Sequence, residues 1–304
     1  MRRTLSSALA QRPLFFEVTP PAARAPARRG QDHLEKVLGL LKELPRVDLV
    51  DVPELVDENH EGRPYYRSGD IRPFASSLGA ASGCAVAVNK VVAHLASTPA
   101  LEAWARETFE LGLRNVVLVG GSSRFIPYPG PSVLEADRAC LPVLEAGGGR
   151  VGNIAIPQRA GEAHRLLAKT RAGASFFTTQ ILFESRSPIA TIREYGGLCR
   201  RAGLAPASMI LSVAPMIDEG DAEFVRWLGA DIPEDAEREI LSSEEGAGVS
   251  RSVDHALRIW EEVTAGLAES APDVPVGVNV EEILPRHFDA AAEMLRAFAR
   301  TLAP

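Results

Sequence analysis

Eight short apolar runs, each followed by a stretch of helical spacing, constrain this chain more than any other feature. The first begins at Leu14 and is closed by Pro20 and Pro21, which cannot continue a strand. The others are Val47–Val52, Ala85–Val92, Asn115–Val119, Val151–Ile156, Ser175–Phe183, Met209–Ala214 and Val276–Val280. They are rich in β-branched and aromatic residues and apolar on both faces, the pattern of buried parallel strands. Between them, Leu34, Val37, Leu38, Leu40, Leu41 and Leu44 recur at helical spacing, as do Leu101, Trp104, Thr108 and Leu111 behind a Thr98-Pro99 helix start. Further helices are expected from about Ile71 to Leu78, Ser132 to Leu144, Glu162 to Arg171, Ile189 to Ala202, Glu219 to Leu228 and Val253 to Leu267. A last one carries Phe288, Ala291, Leu295, Phe298 and Leu302 on one face. Strand and helix alternating eight times describe a single-domain (β/α)8 barrel. An open doubly wound sheet would want a Gly-rich turn after its first strand, and none stands there. No repeat or low-complexity linker divides the chain.

Composition narrows the function. The net charge of −7 argues against a nucleic-acid partner. Cys84, Cys140 and Cys199 are odd in number and far apart, so they read as buried thiols in a reducing compartment. The N-terminus has two arginines but no apolar run of signal-peptide type, and no window reaches membrane-spanning length. The expectation is a cytoplasmic protein with a small-molecule partner and no membrane partner; a homo-oligomer is left open.

In a barrel the active site lies at the C-terminal ends of the strands and in the loops that follow. Those positions here hold Glu17, Pro53 and Glu54, His94, Gly120 to Ser123, Ile156 to Arg159, Gln180 and Phe183, and Pro215. Glu17 follows Phe15 and Phe16 directly. It reads either as a structural carboxylate paired with Arg12 or Arg24, or as a carboxyl kept protonated by apolar neighbours and able to act as a general acid.

Several segments together resemble the methylenetetrahydrofolate reductases. Phe16-Glu17-Val18-Thr19-Pro20-Pro21 is similar to that family's F-E-F-F-P-P, and His94-Leu95 to its P-H-L-T. Leu113 to Leu118 and Gly229 to Pro233 also fit in order. The longest likeness, Ala172 to Phe183, follows its D-A-G-A-D-F-x-x-T-Q-x-x-F. The resemblance implies a (β/α)8 barrel that reduces 5,10-methylenetetrahydrofolate to 5-methyltetrahydrofolate, with FAD carrying hydride from NAD(P)H. It gives Glu17 the role of the acid that protonates the bridging nitrogen. Gln180 becomes the amide that hydrogen-bonds the pterin, and Phe183 an aromatic against the folate. His94, Gly120, Gly121, Ser122, Ile156 and Lys169 fall at cofactor-binding places. The departures fall on the flavin side: Gly120-Gly121-Ser122 replaces R-G-D, Ala155-Ile156-Pro157-Gln158 replaces A-Y-P-E, and Pro53 replaces a Thr. Two routes for the hydride stay open, through FAD held by backbone groups of the Gly120-Gly121 loop, or directly from the nicotinamide to the folate iminium. Glu54 is expected to stand in for the lost Asp near the pterin.

Other constellations carry other chemistry. Glu54, Glu58 and His60 are potential metal ligands, although an acidic loop more often forms a solvated lid. Lys90, inside the third apolar run, suggests an aldolase-like Schiff-base lyase, or else a lysine that snorkels out or pairs with Asp51. A pterin-binding barrel without catalysis is a third reading. His33, His164, His255 and His287 fall in helical stretches and are expected at the surface. Tyr65 and Tyr66 read as part of a substrate mouth or as an exposed hinge.

Overall fold

The computed structural model describes residues 3–123, 125–242 and 248–303. Eight strands close a barrel in the order β1-β10-β9-β8-β7-β6-β5-β2. They are β1 (Leu14–Glu17), β2 (Leu49–Val52), β5 (Ala85–Val91), β6 (Asn115–Val119), β7 (Arg150–Ala155), β8 (Phe176–Thr179), β9 (Ser208–Val213) and β10 (Val276–Glu281). β3 (Val56–Glu58) and β4 (Pro64–Tyr66) pair with each other as an antiparallel hairpin. The helices are α1 (Leu5–Leu9), α2 (Ala27–Glu43), α3 (Arg72–Ser82), α4 (Thr98–Glu110), α5 (Val133–Glu145), α6 (Glu162–Ala172), α7 (Arg186–Ala202), α8 (Glu219–Trp227), α9 (Glu234–Ile240), α10 (Gly248–Leu267) and α11 (Phe288–Thr301). The (β/α)8 architecture expected from the alternation of runs is the one observed.

Two compact units make up the chain. The first comprises chiefly Glu17–Ile154 with Ala168–Phe176. In it β2, β5, β6 and β7 pair in parallel, in the registers Val50↔Val86, Val88↔Val116 and Val116↔Val151. Ser97 starts α4, one residue before the expected cap, because its hydroxyl accepts from Ala100 N–H. Ser132 and Glu135 close a reciprocal capping box on α5. α2 begins at Ala27, seven residues before Leu34, the first apolar residue of the expected helical stretch. Its first turns expose Arg28 and Arg29 and bury no apolar residue until Val37.

The second unit comprises Ser6–Phe16, Ala155–Leu167 and the residues from Phe177 onward. β9 and β10 are parallel, with Met209↔Val276 and Val213↔Val280 in register. Ser208 Oγ donates to Leu9 C=O, fixing the end of α1 against β9. β8 is shorter than the expected Ser175–Phe183. After Thr179 the Gln180 side chain accepts from Ile181 N–H, and the chain turns away. α9 lies between expected elements and has only seven residues, too few for a periodic stripe to show. Among the described residues no helix is long and apolar enough to cross a membrane.

Two expectations about histidines are corrected. His255 is buried, its Nε2 against Phe183 C=O and its Nδ1 accepting from Arg258. α10 starts five residues before the expected Val253, which widens its buried face. His287 is buried in the turn before α11, with Nε2 2.9 Å from Asp221 Oδ1. His164 is exposed, as expected.

Candidate functional site

In the first unit, Glu17 is the last residue of β1 and lies partly buried after the wholly buried Phe15 and Phe16. Val18 N–H donates to Asp51 C=O, so the backbone stays tied beside β2 until the prolines end it.

Glu54, two residues past β2, is held by two donors. Lys90 Nζ donates at 2.5 Å and Val91 N–H at 2.9 Å. The ammonium also lies 5.9 Å from the ring centroid of Trp104 in α4, so Lys90 leaves the strand on the helix side. Glu54 is thus held by Lys90 and by the β5 backbone, and an amine committed to it is a poor Schiff-base nucleophile. Lys90 pairs with Glu54, and not with Asp51.

Glu58, at the end of the β3–β4 hairpin, organises a second cluster. Ser122 Oγ and Tyr128 OH each donate to Oε2 at 2.6 Å, and His94 Nε2 donates to Oε1 at 2.9 Å. His94 packs edge-on against Tyr128. Burial pushes the Glu58 carboxyl up, but the Ser122 and Tyr128 hydrogen bonds and the His94 charge outweigh it and hold Glu58 below the ordinary carboxylate value. The Gly120-Gly121 pair has a steric reason here: a Cβ on Gly121 would run into the Tyr128 ring. The hairpin turn is built by Asn59, whose Oδ1 accepts from Glu61 N–H and Arg63 N–H, and by Gly62 at φ +76°. Tyr65 and Tyr66 are exposed on β4. The three ligand types of this loop therefore go separate ways, Glu54 to Lys90, Glu58 to His94 and His60 to the surface. Lys169 Nζ donates to Ile154 C=O at 2.7 Å.

In the second unit, Gln180 follows β8 directly. Its Nε2 donates to Leu228 C=O at 3.0 Å and its Oε1 accepts from Ile181 N–H at 3.0 Å. One N–H and one lone pair of the amide remain for a ligand. Phe183 is buried among Ile181, Met216, Ile232 and Ala236, so its ring is part of a packed core. Ile156 N–H donates to Glu162 Oε1, closing the turn that leads into α6.

Glu281, the last residue of β10, is a strand-end carboxyl that the reading of strand ends passed over. Burial raises its carboxyl to about 7, against the lowering effect of hydrogen bonds from Ser212 and Asn279. A signal was present, since Glu281 directly follows the apolar run Val276–Val280. Tyr128 and the role of Glu58 as a hub had no such signal, because their partners lie 64 and 70 residues apart in sequence.

The structure thus brings His94, Ser122 and Gly121 together, on Glu58 and Tyr128. Glu54, Ile156 and Lys169 each have separate partners.

No protein-family model matches the chain, and no curated protein matches it. Solved structures do. An uncharacterized protein from Clostridium thermocellum that binds two copies of 5-methyl-5,6,7,8-tetrahydrofolic acid superposes with a TM-score of 0.78 at 16% identity, over 98% of both chains. Orotidine 5'-phosphate decarboxylase from Pyrococcus horikoshii OT3 has a TM-score of 0.46 at 9% identity, over 94% of this chain and 98% of its own. The first likeness supports the barrel fold from end to end; the second carries no argument.

Proposed function

We propose that this protein binds a reduced folate and reduces 5,10-methylenetetrahydrofolate to 5-methyltetrahydrofolate with hydride from NAD(P)H. The observation that carries the reading is the place of Glu17, a carboxyl at the end of a barrel strand, preceded by two wholly buried phenylalanines. Its likeness in fold to a protein that binds 5-methyltetrahydrofolate supports the same ligand class. In this reading the Glu17 proton goes to the bridging nitrogen, and that C–N bond opens to an N5 iminium. The nicotinamide hydride then adds to the methylene carbon, leaving a methyl group and oxidised nicotinamide. Gln180 offers its remaining N–H and lone pair to the pterin edge.

The side chains at the cofactor-side positions offer FAD little. Ser122 and His94 are spent on Glu58, Lys169 on a strand carbonyl, and Ile156 offers only an aliphatic side chain. Direct transfer from the nicotinamide is the route these residues favour, and no step is assigned to flavin.

Purified protein should be colourless and should oxidise NADH or NADPH only when 5,10-methylenetetrahydrofolate is present. Glu17→Gln should lower kcat by about a hundredfold or more, the range of general acid catalysis, with an unchanged circular-dichroism spectrum. A yellow protein that releases flavin on denaturation would remove direct transfer, and near-normal turnover in the Glu17 variant would remove the acid. A colourless protein that binds 5-methyltetrahydrofolate without oxidising the nicotinamide would be a pterin binder.

A further inference from the structure

Three neighbouring strands of the second unit carry polar side chains that join in one chain of hydrogen bonds. Thr179 ends β8, Ser212 lies in β9 and Asn279 in β10, and the last two are register partners. Ser212 N–H donates to Thr179 Oγ1 at 2.8 Å. Asn279 Nδ2 donates both to Ser212 Oγ at 3.2 Å and to Glu281 Oε1 at 3.3 Å. Residues 279 and 281 are two apart in a strand and share a face. Thr179, Ser212 and Asn279 are buried, whereas Glu281, at the strand end, keeps part of its surface. The end of this chain is therefore the part a ligand can reach.

What that end lacks is donors. Asn279 Oδ1 is buried with no hydrogen-bond partner among the described residues. The protein partners of Glu281, the Ser212 hydroxyl and the Asn279 amide, favour its ionised form, yet burial still holds the carboxyl up at about 7. Two donors do not compensate the desolvation; two more, supplied side by side, would. A planar heterocycle with an exocyclic amino group next to a ring N–H presents such a pair, spaced for the two oxygens of one carboxylate.

We propose that Glu281 is the specificity residue of the folate site, taking the 2-amino group and adjacent ring N–H of the pterin on its carboxylate. The assignment rests on the folate reading above. Because the ligand binds the ionised form, binding drives a proton off Glu281.

Isothermal titration of the full-length protein with 5-methyltetrahydrofolate, between pH 6 and 8 and in two buffers of different ionisation enthalpy, tests this. Affinity should rise about tenfold per pH unit below 7 and level off above it, and about half a proton should be released per ligand at pH 7. Glu281→Gln should bind more weakly, with a flat pH profile and no proton release. An analogue lacking the 2-amino group should lose most of its affinity for wild type and little for the variant. Wild-type binding with a flat profile and no proton release overturns the assignment alone, and it needs no variant. Undiminished affinity in Glu281→Gln does the same. Wild type that binds no folate at all overturns the folate reading and this assignment together.

Discussion

Glu58 in the first unit and Glu281 in the second are both partly buried carboxyls, and the protein moves them in opposite directions. Burial raises each of them. At Glu58 two hydroxyls and an imidazole converge on the two oxygens and more than offset it. At Glu281 one hydroxyl and one shared amide do not, and the carboxyl rises to about 7. Desolvation sets the sign of a buried acid only until its donors are counted. The satisfied carboxylate fastens a hairpin; the under-satisfied one is left able to respond to a ligand or a proton.

The largest expected break in this contrast is at the first member. Glu58→Gln leaves Ser122, Tyr128 and His94 around a neutral amide, and at least one of them without an acceptor, at a cost of about 2 kcal/mol. The urea midpoint should fall accordingly, and proteolysis should cut first in the β3–β4 hairpin. Tyr128→Phe removes a single donor and should cost about half as much. An unchanged midpoint in both would show that the hairpin is held by its packing instead.

A smaller effect is expected in how stability varies with pH. Glu281 keeps its proton in the folded state up to about 7, whereas in the unfolded chain it gives it up near the ordinary carboxylate value of 4.5. Wild-type stability should therefore fall as pH rises through that window. Glu281→Gln, which has no ionisation there, should melt above wild type at pH 8 and match it near pH 4. Glu58 has the reverse sign: its contribution is present above the ordinary carboxylate value and is lost as pH falls through its lowered one. Acid should loosen the hairpin, and rising pH should cost the second unit at Glu281 and the first at Asp137, whose carboxyl burial holds up at about 6.

The barrel was legible because its strands are apolar on both faces and its longer helices carry an apolar stripe. What escaped was short or polar. The β3–β4 hairpin is two three-residue strands, although Asn59 and Gly62 were turn signals in plain view. The first turns of α2 and α10 have no stripe of the kind that marks a helix. The place of Glu17 could be read because Pro20 and Pro21 mark where its strand must end. The partners of Glu54 and Glu58 could not, since a carboxylate near the end of one strand can meet any donor on the neighbouring loops, and only the folded chain decides which.

The three cysteines, buried and free of disulfide bonds, carry a practical consequence. Burial, Asp137 and Glu102 together hold the Cys140 thiol up at about 12, far from a reactive thiolate. Cys84 and Cys140 belong to the first unit and Cys199 to the second. A thiol-specific probe added to native protein should stay silent, and its uptake in mild denaturant, mapped by mass, should show which half of the chain opens first without a single engineered label.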